Sequence, residues 1–462
     1  MLVTQPRRTP AVLLVALILA AACVPRTNSG TPQRPAPNDG SAVRRGSGGL
    51  DPVEAYANAG LIAEGDPIQF VGGVTYFAGA TADSTLMMVT LSMLNRDFTF
   101  APEQDGYRGR YQVSLELRRG AEVALHVDAR ESVRVASYRE STREDESLIF
   151  QQFVPAAPGQ YVLAISVRDE GSARNGRHEL LVNIPRITPI GLSSPVAVYQ
   201  ATPRTTRDSL PELVANPRAT AIFGRDTVVQ VYLEGYGLPP ETPVALAAIS
   251  DQQVIVWRDT IELDSQSTIM RASVIKLPVS ALGVGRVTLS ATPLDAADTV
   301  TTALFVTFGE EWAISSFEEM LSLLRFYASD ARLAQLRETA GEERADAWGA
   351  FYRETDPDPR TPEHEALRTY FTRVRIANQR FGDEGQSGWL SDRGEVFVTL
   401  GEPDQILEQG DNSFNQRGRA QMWRYNQQRL QLVFIDQSGF GRWRLTTGSE
   451  ADFNAAAQRL RK

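Results

Sequence analysis

Cysteine is almost missing from this chain of 462 residues, which holds a single one, Cys23, alongside three histidines. A lone thiol excludes a disulfide framework and a thiolate zinc site, so the folded part has to rely on hydrophobic cores. Lysine is nearly as scarce, because only Lys276 and Lys462 contribute to the 47 basic residues. Neither follows the Gly-x-x-x-x-Gly run of a phosphate-binding loop, and a Schiff-base enzyme would have to use Lys276 in the strand-like Ala-Ser-Val-Ile-Lys-Leu-Pro segment. Two His-Glu pairs, His178-Glu179 and His364-Glu365, lack the second histidine of a zinc hydrolase, and no nucleophile-elbow sequence accompanies the serines. Acids outnumber bases 56 to 47, a formal charge of −9, whereas a nucleic-acid partner calls for clustered positive charge. No cofactor motif is present, and neither a cofactor nor a catalytic residue is expected.

Long apolar runs are lacking as well. The stretch Ala11–Ala22 is too short for the ~20 residues that span a bilayer core. Preceded by Arg7 and Arg8 and closed by small residues, it has the n-region, h-region and cleavage site of a secretory signal peptide over residues 1–22. Leu19-Ala20-Ala21-Ala22-Cys23 resembles a bacterial lipobox, with Ala20 where a leucine is usual, and the resemblance implies lipidation of Cys23. Val24 after the cysteine resembles lipoproteins that leave the inner membrane, which implies the outer membrane. Removing residues 1–22 takes away Arg7 and Arg8 and no acid, so the mature chain is more acidic still. Residues 23–50, rich in Pro, Gly, Ser, Asn and Arg, read as a flexible tether.

What the chain does have is apolar patterning, with 42% hydrophobic residues. Asp51-Pro52 is a helix-start signal. Period-two runs follow at 86–93, 111–117 and 161–167, separated by turn clusters such as Ala157-Pro158-Gly159-Gln160, and predict an antiparallel β-sandwich over 51–190 with a short leading helix. Runs at 227–233, 254–257, 286–290 and 300–306 predict a second, immunoglobulin-like sandwich over 191–310. Beyond it the period turns helical. Ser316 with Glu319 fits a capping box, Ala345, Trp348, Phe351 and Tyr352 share a face, and Thr361-Pro362 opens a helix striped by Leu367, Tyr370, Phe371, Val374, Ala377 and Phe381. Strands are expected at 395–400, 421–425, 430–436 and 441–445, giving an α+β unit over 311–448 and a tail over 449–462.

Gly388-Trp389-Leu390-Ser391-Asp392-Arg393-Gly394, then Gly401-Glu402-Pro403-Asp404, Met422-Trp423-Arg424-Tyr425, Phe434-Ile435-Asp436 and Gly439-Phe440-Gly441, resembles the GWxTD domain family of bacterial envelope proteins. Two positions depart from that pattern: Ser391 stands for the motif threonine and His364 for an expected asparagine. The resemblance implies architecture and export and carries no activity with it.

The signature also has a structural explanation. Gly388 and Gly394 allow tight turns, Trp389 can plug a helix–sheet junction, Ser391 or Asp392 can accept backbone N–H bonds, and Gly401 to Pro403 and Asp404 can end a strand. Alternatively, Asp392, Arg393, Asp404 and Asp436 could line a polar cleft. Asp356, Asp358, Glu363, His364 and Glu365 are the densest run of oxygen and nitrogen donors, but their spacing is not that of a calcium loop, and no metal is expected. The expected protein is a lipid-anchored envelope scaffold or binding module, held to the membrane and meeting an envelope protein or a glycan. The alternative is an envelope hydrolase acting on glycan or peptide through carboxylates of the C-terminal unit.

Overall fold

The computed structural model describes residues 52–461 except 144–146, 188, 240, 265–269, 295–297, 310–315, 362, 383–386 and 410–418. The signal segment 1–22, Cys23, the tether and Pro362 lie outside the described residues. Pro52–Asn58 forms the expected first helix.

Alternation then builds the first sandwich. In Gly106–Arg119, Tyr111, Val113, Leu115 and Leu117 turn inward while their neighbours face out. This strand pairs antiparallel with Phe100–Glu103, Glu122–Val135 and Gly159–Asp169, and the last of these pairs with Asn175–Ile184. The facing sheet runs Ile62–Glu64, Phe70–Ala78, Thr85–Leu94, Ser147–Ala156. Thr85–Leu94 is buried on both faces, which accounts for its nearly unbroken apolar sequence. Met87, Val89, Leu91 and Met93 fill the first core, whereas Leu86 and Met88 pack with Val198, Tyr232 and Tyr236 of the next unit.

In the second sandwich, Val228–Tyr236 pairs with Gly191–Leu192, Val196–Thr202 and Met270–Pro278, and Glu212–Ala215 extends that sheet. The opposing sheet runs Thr220–Ile222, Val300–Thr307, Gly285–Pro293, Pro243–Ser250, Ile255–Glu262; its first pair is parallel. The two sandwiches are joined by a buried charge cluster. Arg204 donates from Nε and Nη2 to the Glu234 carboxylate at 2.7 and 2.8 Å, and from Nη2 to the Ala78 carbonyl of the first sandwich at 3.0 Å. Tyr232 and Tyr236 hydroxyls also donate to Glu234. Burial and the adjacent carboxylate push both tyrosine pKa values up.

The core of the second sandwich continues without a break into the C-terminal helices. One hydrophobic cluster runs from Val231 and Leu289 through Phe308, Phe317 and Trp348 to Trp389, Trp423 and Phe434. Phe308 meets Trp348 edge-on with ring centroids 5.6 Å apart, and the Phe317 amide, at the start of helix Phe317–Leu323, donates to Asp251 at 3.0 Å. Helices Arg344–Thr355 and Glu365–Arg380 bury the predicted stripes, except that Tyr352 is half-buried. The second begins at Glu365 rather than at Thr361, because His364 is its N-cap and accepts from the Leu367 amide.

Two further expectations are corrected. Residues 395–400 are the last two-thirds of a buried helix, Asp392–Leu400, and not a strand. The segment expected as a tail contains helix Thr447–Leu460, which buries Phe453, Ala456 and Ala457. The sheet of this unit is a four-stranded meander, Gln405–Gln409, Arg419–Tyr425, Leu430–Asp436, Arg444–Leu445.

Candidate functional site

The signature residues sit where helix Glu365–Arg380, the turn Gly388–Leu390 and helix Asp392–Leu400 meet. Ser391 is the N-cap of the last helix: its Oγ accepts from the Gly394 amide at 3.1 Å and donates to the Gly388 carbonyl at 2.7 Å. Gly394 is required by close approach, since a Cβ there would lie 1.9 Å from the Gly388 carbonyl oxygen. Gly401 ends the helix with φ +88°, outside the range of L side chains. Trp389 is 2% exposed and sits among helical segments, not at the sheet. Its ring meets Phe326 edge-on at 5.5 Å, the Arg325 guanidinium lies 5.1 Å from it, and its backbone N–H donates to Asn378 Oδ1. The indole Nε1 is buried and finds no acceptor among the described residues. Trp423 fills the helix–sheet junction instead, between Phe381 and Phe434.

The four residues of the expected polar cleft do not all converge. Asp392 accepts from the Leu445 amide at 2.7 Å and from Arg444 at 2.9 Å, tying the start of its helix to the last strand. Arg393 lies over Phe381 and Trp443 at 5.1 and 5.0 Å. Asp436 has a fully buried side chain and accepts from the Gly439 and Gly441 amides, Ser438 Oγ and Arg419 at 2.8–2.9 Å. Burial alone would raise its pKa, but these hydrogen bonds outweigh it and hold the carboxyl at about 2. Asp404 accepts from the Asn426 amide at the opposite end of the Arg419–Tyr425/Leu430–Asp436 hairpin. At ~3.3 Å per residue that places it roughly 20 Å from Asp436. Asp392, Arg393 and Asp436 therefore gather near Trp443 and the last strand, and Asp404 does not join them. The buried Pro403 lies two residues beyond the helix cap Gly401.

The donor run ahead of the long helix is equally committed. Asp358 pairs with Arg360 and Glu363 with Arg368, each at 2.7 Å. Glu365 accepts from Thr361, and both His364 ring nitrogens are engaged, by the Leu367 amide and Thr355 Oγ1. Among the described residues no three His, Cys, Asp or Glu side chains gather as a metal centre would need. The Arg204–Glu234 cluster was missed by sequence reasoning, although one signal was present: a glutamate between two tyrosines in an otherwise apolar strand has to find a buried partner.

These features define the architecture: two β-sandwiches closed by a small α+β unit that fuses with the second. Residues 294–439 match the family model of the GWxTD domain, so this stretch of the chain is a GWxTD domain. The match starts before the last strand of the second sandwich, in keeping with the shared core. No curated protein matches the chain.

Proposed function

We propose that this protein is a lipid-anchored scaffold or binding module of the bacterial cell envelope, attached through Cys23 and carried on the outer membrane. The observation behind the non-catalytic part is how the signature spends its polar groups. Ser391 caps a helix, Asp392 ties two elements together and Asp436 holds a turn, so each works on the fold. A carboxylate-based hydrolase needs two acids facing one substrate ~5–10 Å apart. The expected acids are instead neutralised by Arg444 and Arg419 or lie at the far end of the hairpin.

The anchoring half is tested by Cys23→Ser, which should abolish metabolic lipid labelling and move the chain out of the membrane fraction. Among the described residues no helix is long and apolar enough to cross a bilayer. A wild-type chain that takes up no lipid label would refute the anchor. The scaffold half is tested by isolating the full chain from solubilised envelopes: a stoichiometric envelope partner is expected, and glycan or peptide hydrolysis lost in Asp392→Asn would refute it.

A further inference from the structure

Glu122–Val135, a strand of 14 residues, forms the edge of its sheet: it pairs along its length with Gly106–Arg119, and among the described residues no strand lies on its other side. An edge of that length presents a row of backbone N–H and C=O groups ready to pair, and such edges are ordinarily kept short, bulged or broken by proline. This one holds no proline, and the register shift in its pairing, between Leu117 and Arg118, falls at its starting end. Leu125, Val127 and Ala129 point inward and pack on the first core, yet each is only half-buried. Their partners on the neighbouring strand, Leu117, Leu115 and Val113, are fully covered. The inner row of the edge strand is thus flanked from one side only, and one more strand would complete its cover.

The strand's own charges say which strand fits. On its outer row Asp128 and Arg130 have side chains 47% and 77% exposed, and the contact of Arg130 with Glu170, at 3.5 Å, is a surface pair of little energetic weight. Turned about a two-fold axis through Ala129, a second copy pairs antiparallel over residues 123–135. That register sets Asp128 of each copy opposite Arg130 of the other on the outer face and Leu125 opposite Val133 on the inner face, and opposite charges in directly facing positions are favourable. An axis through Asp128 or Arg130 would set that residue against its own like charge, and one through Val127 shortens the paired run to 122–132. Glu131, on the inner row, falls opposite Val127 and is exposed already in the single chain.

We infer that Glu122–Val135 joins two copies of this chain edge to edge, so that the sheet runs on across a two-fold dimer. This goes beyond the scaffold reading and does not depend on it. Sedimentation equilibrium of the purified full chain, in a neutral detergent matched to the solvent density, is the test. A reversible dimer is expected. Arg130→Asp and Asp128→Arg, each of which places like charges opposite one another twice, should weaken it at least tenfold. The double variant Asp128→Arg with Arg130→Asp re-forms both opposite-charge pairs and should restore it to within threefold of wild type. Both side chains face solvent, so far-ultraviolet circular dichroism should be the same in all four proteins and separates lost pairing from lost fold. A wild-type chain that stays monomeric at every concentration, whatever else binds the edge, would overturn the inference. So would a dimer that either single change leaves intact, or one that the double change fails to restore.

Discussion

At the scale of single residues, Trp389 shows how a family signature can be a packing device. Its side chain is enclosed by Phe326 and Arg325, so Trp389→Ala should destabilise the fold by ~3–5 kcal/mol in denaturant unfolding, through lost burial and the cavity left behind. Among the described residues the buried indole N–H has no acceptor, a cost that phenylalanine would not carry. Trp389→Phe should therefore lose less than about 1.5 kcal/mol, as shape-conserving core exchanges do. If alanine proved no worse than phenylalanine, the packing role would fail. Asp436 carries a different prediction. Its folded pKa lies below the ordinary carboxylate range, so its contribution to stability is present above pH ~4 and is lost as pH falls toward about 2. Asp436→Asn should remove that portion of the acid dependence, measured as midpoint denaturant concentration between pH 5 and 2.

At the scale of elements, the clearest misreading is instructive. Glu395-Val396-Phe397-Val398-Thr399-Leu400 has the β-branched, alternating look of a strand, and a short apolar run cannot be assigned by period alone. The cap signals decided otherwise. Ser391 begins the helix, Asp392 and Glu395 occupy its first turn, and Gly401 stops it with a positive φ. Tertiary packing then buries Val396, Phe397 and Val398 together, which a one-faced strand would not do. Ser391→Ala should cost ~1–2 kcal/mol, since it removes the cap and the bond to the Gly388 carbonyl. Ser391→Thr keeps the hydroxyl and should stay within about 0.5 kcal/mol of wild type in the same unfolding assay.

At the scale of the whole molecule, the second sandwich and the C-terminal unit share one hydrophobic cluster. Because one cluster links the second sandwich to the C-terminal helices, calorimetry should show these two unfolding in a single transition, and Trp389→Ala should lower that whole transition. A C-terminal transition moving by itself would contradict the shared core. The first sandwich is coupled through Arg204 and Glu234. Glu234→Gln leaves the buried guanidinium without its counter-charge and should destabilise the junction by about 3–5 kcal/mol.

The sequence by itself determined the local matters. Alternation marks most strands of both sandwiches, helical stripes mark Arg344–Thr355 and Glu365–Arg380, and the short ordered motifs from Gly388 to Gly441 mark the GWxTD domain. These signals arise from neighbours a few residues apart, where period and capping act. Only the tertiary structure decided that Thr85–Leu94 is covered on both faces, that Asp404 lies away from Asp436, that Arg204 meets Glu234, and that Glu122–Val135 lies at a sheet edge. Those facts depend on which sheets stack and where strands part, and contacts between segments 30 to 160 residues apart leave no periodic trace in the chain.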